Sequence, residues 1–205
     1  MKRCWIIGAG SVAKGDLPFD CGADDLIIAA DGGYCHLQQA GMEPHLLIGD
    51  FDSMERPKTG CETISLPIEK DDTDMVFAVK EGFARGYTHF MLLGALGGNR
   101  LSHTLANVQL LSFIKEQGGD GVLVLGGTQV RMLKEEAVTF PATQQGSCSV
   151  FAYSEKAIVS LQGLYYPLDH GEITNSFPLG VSNHFTGNQA TVTVHQGQVL
   201  VVIEK

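Results

Sequence analysis

Up to about residue 133 the chain alternates short apolar runs with amphipathic stretches, and beyond it the alternation stops. The runs fall at 4–7, 26–30, 46–49, 63–66, 90–93 and 122–125, and several end at Gly or Asp. Between them, 34–40, 73–85 and 105–117 read as helices. The second carries Met75, Val76, Val79 and Phe83 at helical spacing; the third carries Leu105, Val108, Leu111 and Phe113 or Ile114. Apolar runs without polar alternation are strands buried on both faces. Strands of that kind joined by helices predict a mainly parallel sheet with helices on both sides.

From 137 onward the pattern is β only. Segments 148–153, 157–161, 189–195 and 199–203 read as strands set off by Gly, Pro, Ser and Asn, the last two as a hairpin around Gln196-Gly197. The expected organisation is an α/β N-terminal domain over 1–135 and a small all-β sandwich C-terminal domain over 136–205. A domain as short as the second is near the lower limit for folding alone, so it is expected to lean on another surface.

Charge and composition remove several function classes. With a formal net charge of −9, only 14 Lys plus Arg and no basic run, the chain is not expected to bind nucleic acid, whose grip depends on cationic contacts to phosphate. No apolar stretch approaches the roughly 18 residues of a membrane span, and the apolar stretch after Lys2-Arg3 is too short for a secretory signal. The five cysteines form no Cys-x-x-Cys pair, which fits a reducing cytoplasm and argues against a disulfide framework or a zinc cage.

Two carboxylate clusters carry the first chemical signal. Asp50-Phe51-Asp52 follows a strand, and Asp71-Asp72-Thr73-Asp74 precedes a helix. Clusters of this kind either cap turns and helix starts or hold a divalent metal. Two of them, one at a strand end, favour Mg2+ bound together with substrate phosphates. The second signal is the loop 94–103. Gly94, Gly97 and Gly98 link a strand to a helix whose N–H groups attract an anion, and Arg100 adds a planar donor for phosphate oxygens. His103 is a phosphate donor, a proton shuttle or a structural hydrogen-bonder. Asp31 and Gly32, at another strand end, let a ligand approach the backbone. Gly8-Ala9-Gly10 lacks the third glycine of a dinucleotide loop and reads equally as a phosphate contact or a tight strand exit.

In order along the chain, Ala-Asp-Gly-Gly at 30–33, Gly-Asp-Phe-Asp-Ser at 49–53, Lys-Asp-Asp-Thr-Asp at 70–74, the glycine loop through His103 with Leu105-Ala106-Asn107, Gly163-Leu164-Tyr165-Tyr166-Pro167-Leu168 and Gly180-Val181-Ser182-Asn183 resemble the thiamine pyrophosphokinase family. The resemblance implies a cytoplasmic homodimeric transferase. It would move the pyrophosphoryl group of ATP to thiamine, giving thiamine pyrophosphate and AMP. It implies ATP contacts from Asp31, Gly32, Thr73, Gly94, Gly97, Gly98, Arg100 and His103, thiamine contacts from Leu164, Tyr166, Ser182 and Asn183, and Mg2+ ligands from Asp50, Asp52, Asp71 and Asp74. Asp71, Asp74 and Arg100 are the expected catalytic residues, with Asp71 or Asp74 accepting the hydroxyl proton.

One departure stands out. The family loop reads Gly-Gly-Arg-x-Asp-His, whereas here Asn99 intervenes before Arg100 and Ser102 replaces the aspartate. The alternatives are a metal-dependent nucleotide-sugar transferase using Asp50-Phe51-Asp52, or a catalytically weak regulator that binds nucleotide or thiamine.

Overall fold

The structure, a computed structural model, describes residues 2–50, 59–67, 69 and 71–205. The chain divides into two compact units, Met1–Gly126 and Gly127–Lys205. The strand Thr128–Lys134 therefore goes with the second unit, whereas the sequence reading ends the first at 135.

In the first unit the strands are β1 (Cys4–Ile7), β2 (Leu26–Ala30), β3 (Leu46–Gly49), β4 (Glu62–Ser65), β5 (His89–Leu93) and β6 (Asp120–Leu125), and the helices are α1 (Gly33–Gln39), α2 (Asp74–Ala84) and α3 (Leu101–Glu116). The strands pair in parallel in the order β6-β5-β1-β2-β3-β4. Every residue of β2 and β3 is buried, which is why they read as unbroken apolar runs. Side chains alternate across the sheet, so neighbours in sequence serve opposite faces. Ile7, Ile27, Ala29, Leu47 and Leu93 pack with Tyr34 and Leu37 of α1. On the other face Gly82 of α2 lies against Cys4 and Phe90, and Gly121 of β6 lies against Leu111 and Ile114 of α3. Helices thus cover both faces. α3 begins earlier than the expected 105, because its first turn faces solvent and a cleft: Leu101 is 72% exposed, so apolar periodicity carries no signal there.

At the sheet end where β1 and β2 begin, Asp25 is 6% exposed and accepts from Arg3 N (2.8 Å), Gly22 N (3.1 Å), Trp5 Nε1 (3.2 Å) and Arg3 Nη2 (3.0 Å). Burial by itself raises the Asp25 carboxyl, but these donors outweigh it and hold the group below its ordinary range.

The second unit contains β7 (Thr128–Lys134), β8 (Ala137–Phe140), β9 (Ser147–Ala152), β10 (Lys156–Gln162), β11 (Leu168–Thr174), β12 (Gly180–His184), β13 (Ala190–Gln196) and β14 (Gln198–Glu204). They pair antiparallel in the orders β12-β9-β14-β7 and β11-β10-β13-β8. Val150, Val199 and Val201 from the first set share one core with Val159, Val192 and Val194 from the second. The expected hairpin around Gln196-Gly197 does not form. Gly197, at φ +86°, turns the chain from β13 in one set to β14 in the other, so both strands point their alternate valines into the same core.

Among the described residues no helix is long and apolar enough to cross a membrane.

Candidate functional site

From β1 the chain runs outward through β2, β3 and β4, and then α2 returns it to β5 on the other side of β1. The carboxyl ends of β1 and β5 therefore diverge into a crevice, the place where open parallel sheets bind ligands. A cleft of about 610 Å³ opens there, all of it lined from the first unit.

Its floor is backbone. Gly8 N donates to Leu93 O at 2.8 Å and Gly10 N donates to Gly94 O at 3.0 Å, so the two strand ends stay knit beyond their last side chains. A Cβ on Gly94 would lie 2.2 Å from Gly8 O, and Gly94 also sits at φ +63°, so nothing larger than glycine fits. Asn107, buried on α3, donates from Nδ2 to Ala95 O at 2.8 Å and fixes the helix against the β5 exit.

The two helix starts at the cleft differ. Thr73 caps α2, its Oγ1 accepting from Val76 N at 3.3 Å. α3 has no side-chain cap, so the first N–H groups of a sixteen-residue helix are not satisfied by a capping side chain where Gly97, Gly98, Asn99 and Arg100 line the cleft. Arg100 and His103 supply donor side chains, and Asp31 and Asp74 supply carboxylates, on the same lining. Asp31 holds φ +48°, with its N–H donating to Ile48 O at 2.7 Å. Asp tolerates this left-handed geometry better than most side chains, and strain of this sort gathers at ligand sites.

The structure gathers most of the expected nucleotide residues on this lining: Asp31, Thr73, Gly94, Gly97, Gly98, Arg100 and His103. Gly32 precedes α1, where a Cβ would lie 3.0 Å from Ala9 Cβ, and it does not line the cleft. The second acid cluster splits. Asp74 lines the cleft, Asp72 pairs with Lys80, and Asp71 is exposed and off the lining. Asp50 follows β3 off the lining, and Asp52 lies outside the described residues. Among the described residues no three His, Cys, Asp or Glu side chains gather as a metal cage. Asp31 and Asp74, two carboxylates on one lining, still suit magnesium, which takes one or two carboxylates plus substrate phosphates. Ser102 is exposed and off the lining, so the position that lacks the expected aspartate contributes no cleft side chain.

Sequence reasoning missed His36 and Ser11. Ser11 adjoins the Gly8-Ala9-Gly10 motif that flagged this turn, whereas His36 carries no local signal.

The residues expected on the thiamine side all lie in the second unit. Leu164 is buried and bridges to Phe185, while Tyr166 is 61% exposed. Asn183 is 3% exposed. Its Oδ1 accepts from Tyr166 N at 2.9 Å and its Nδ2 donates to Tyr166 O at 2.7 Å, so it positions that segment. Ser182 stands at φ +59° with its N–H donating to Ser149 Oγ at 3.0 Å. Around them Tyr165 stacks on His184 at 4.7 Å and meets Tyr166 edge-on at 4.9 Å, an exposed aromatic surface.

Comparison with known proteins gives two family matches: "Thiamin pyrophosphokinase, catalytic domain" over residues 21–123, and "Thiamin pyrophosphokinase, vitamin B1 binding domain" over residues 134–199. The chain is similar to a thiamine pyrophosphokinase of Bacillus subtilis (strain 168), 27% identical over 213 residues and covering 98% of each chain. Among solved structures it resembles thiamine pyrophosphokinase from Bacillus subtilis, with TM-score 0.88 and 23% identity over 100% of this chain and 99% of that one. It also resembles the Geobacillus thermodenitrificans thiamin pyrophosphokinase, with TM-score 0.84 and 26% identity over 100% and 98%. The yeast thiamin pyrophosphokinase gives TM-score 0.79 at 14% identity, over 100% of this chain and 86% of that one.

Proposed function

The chain belongs to the thiamin pyrophosphokinase family, and from that membership we propose that its β1/β5 cleft takes ATP as a magnesium complex while the aromatic surface of the second unit receives thiamine. The protein is an enzyme that transfers pyrophosphate to thiamine. The observation that carries the cleft assignment is the uncapped start of α3, with Arg100, His103 and Gly97-Gly98 beside Asp31 and Asp74 on one lining.

The thiamine hydroxyl attacks the β-phosphorus of ATP. The bond from that phosphorus to the oxygen it shares with the α-phosphorus breaks, and AMP leaves with the electron pair. Such transfer depends on positioning and charge neutralisation more than on covalent chemistry. Arg100 holds phosphate oxygens, and the positive dipole at the start of α3 attracts them. Magnesium, when bound, would neutralise phosphate charge; Asp31 and Asp74 would hold it from the cleft lining, with Asp50, Asp52 and Asp71 the further acids for that role. Of the two acids proposed to take the hydroxyl proton, Asp74 lines the cleft and Asp71 does not, which favours Asp74.

On the thiamine side, Tyr165, Tyr166 and His184 offer ring faces to a cationic aromatic ligand, with Leu164, Ser182 and Asn183 shaping the segment that carries them. Phe177 (65% exposed), Leu179 (58%) and Val181 (43%) extend this unit's apolar surface, which supports a homodimer that covers it. The domain roles follow: nucleotide and metal in the α/β part, thiamine in the β part. Five free thiols fit the reducing cytoplasm.

The test is to incubate purified protein with ATP, magnesium and thiamine, and to follow AMP and thiamine pyrophosphate by chromatography. Equal amounts of both, lost on adding EDTA, are expected. ATP turnover that gives ADP, or no product with thiamine, overturns the reading.

A further inference from the structure

His36 is not part of the chemistry derived above, yet it lines the same cleft from α1. Its Nε2 lies 2.9 Å from Gly10 O. A carbonyl only accepts, so Nε2 carries the proton, and this contact sets the tautomer of the ring. The same Gly10 donates its N–H to Gly94 O at 3.0 Å. Both polar groups of one residue in the β1 exit loop are therefore fixed by different elements, the carbonyl by α1 and the N–H by the β5 exit.

The loop so held touches the phosphate side of the cleft. A Cβ on Gly98 would lie 3.6 Å from Gly10 Cα, and a Cβ on Gly97 would lie 3.4 Å from Ser11 Oγ. An added methyl would just fill the space, so the β1 exit loop and the glycine turn before α3 flank one narrow gap on the cleft lining. Movement of the first changes the width of that gap.

We propose that His36 is a positioning residue for the nucleotide: its hydrogen bond to Gly10 fixes the Gly8-Ala9-Gly10-Ser11 turn beside the Gly97-Gly98 turn on the cleft lining, so the phosphate subsite is built before ligand arrives. Preorganisation of this kind shows in affinity, because a loop already ordered loses less freedom on binding. The proposal rests on reading the cleft as the ATP subsite.

The experiment is calorimetric titration with magnesium and α,β-methylene ATP, which resembles the substrate but cannot break at the α–β linkage. His36→Leu removes the donor. His36→Gln keeps an N–H at a similar reach, and His36→Asn has a donor too short to reach Gly10. His36→Leu and His36→Asn are expected to bind roughly three- to tenfold more weakly, the range set by losing one hydrogen bond, with His36→Gln within about twofold of wild type. In steady state the KM for ATP rises in the first two while kcat and the KM for thiamine hold. Where His36→Leu does not fold, the His36→Asn and His36→Gln pair gives the same contrast. Equal loss in Asn and Gln variants of wild-type thermal stability, or no loss in Asn, overturns the assignment of His36 alone. Failure of the wild-type protein to bind the analogue overturns the ATP subsite, and the proposal falls with it.

Discussion

The cleft of the first unit and the aromatic surface of the second are made of different material. The cleft is mostly backbone: glycine strand ends knit to each other, an uncapped helix start and few charged side chains. The surface is mostly side chain, with Tyr165 stacked on His184 and Tyr166 edge-on to both, all exposed, and the buried Asn183 holding the Tyr166 backbone from beneath. A site of the first kind breaks when a side chain is added. A site of the second kind weakens when one is removed.

The largest effect should come from adding one methyl to the cleft floor. Gly94→Ala places a carbon 2.2 Å from Gly8 O at φ +63°, so the strand ends must separate. We expect a loss of roughly 2–4 kcal/mol in urea unfolding together with loss of AMP formation; a variant that keeps wild-type stability would show that the floor yields. Arg100→Ala should reduce kcat/KM for ATP by about a hundredfold, as loss of a charge-stabilising donor does. Its melting temperature should hold, because Arg100 is exposed.

Asp25→Asn tests whether the sheet end away from the cleft depends on charge. The folded pKa of Asp25 is lowered, so its contribution is complete above the unfolded value of about 3.9 and is lost as pH falls through the folded value. Near neutral pH the variant should lose about 1–3 kcal/mol, and the gap between it and wild type should close as pH falls below the ordinary carboxylate range. A gap that stays constant in acid titration followed by circular dichroism would remove the charge from the account. The smallest effect belongs to the surface. Tyr166→Ala should raise the KM for thiamine about five- to tenfold, the worth of one aromatic contact, and leave the KM for ATP unchanged. Equal changes in both would mean the two sites are not separate in the way their construction suggests.

The parallel strands were legible because burial on both faces writes an unbroken apolar run, as in Leu26–Ala30 and Leu46–Gly49. β7, β8, β11 and β12 were not read as strands. β11 bulges opposite β10 where His170 stands at φ +47°, and β12 is short and polar with Ser182 at φ +59°, so neither shows a clean alternation. The cleft was legible where glycines and acids follow a strand. The cluster at 71–74 was read as one feature, but the start of α2 sends its members to different places: Asp74 to the cleft, Asp72 to Lys80, Asp71 to solvent. His36 left no trace because its partner is a carbonyl 26 residues away, and main-chain acceptors have no sequence identity.

The knitted ends of β1 and β5 also limit how this protein can be re-engineered. A binding site walled by side chains changes its ligand by trimming or swapping them, but Gly8, Gly10 and Gly94 offer no atoms to trim and no room to add. A variant that accepts a bulkier donor has to gain its space elsewhere, from the 97–100 turn or the start of α2, while the floor passes unaltered from one specificity to the next.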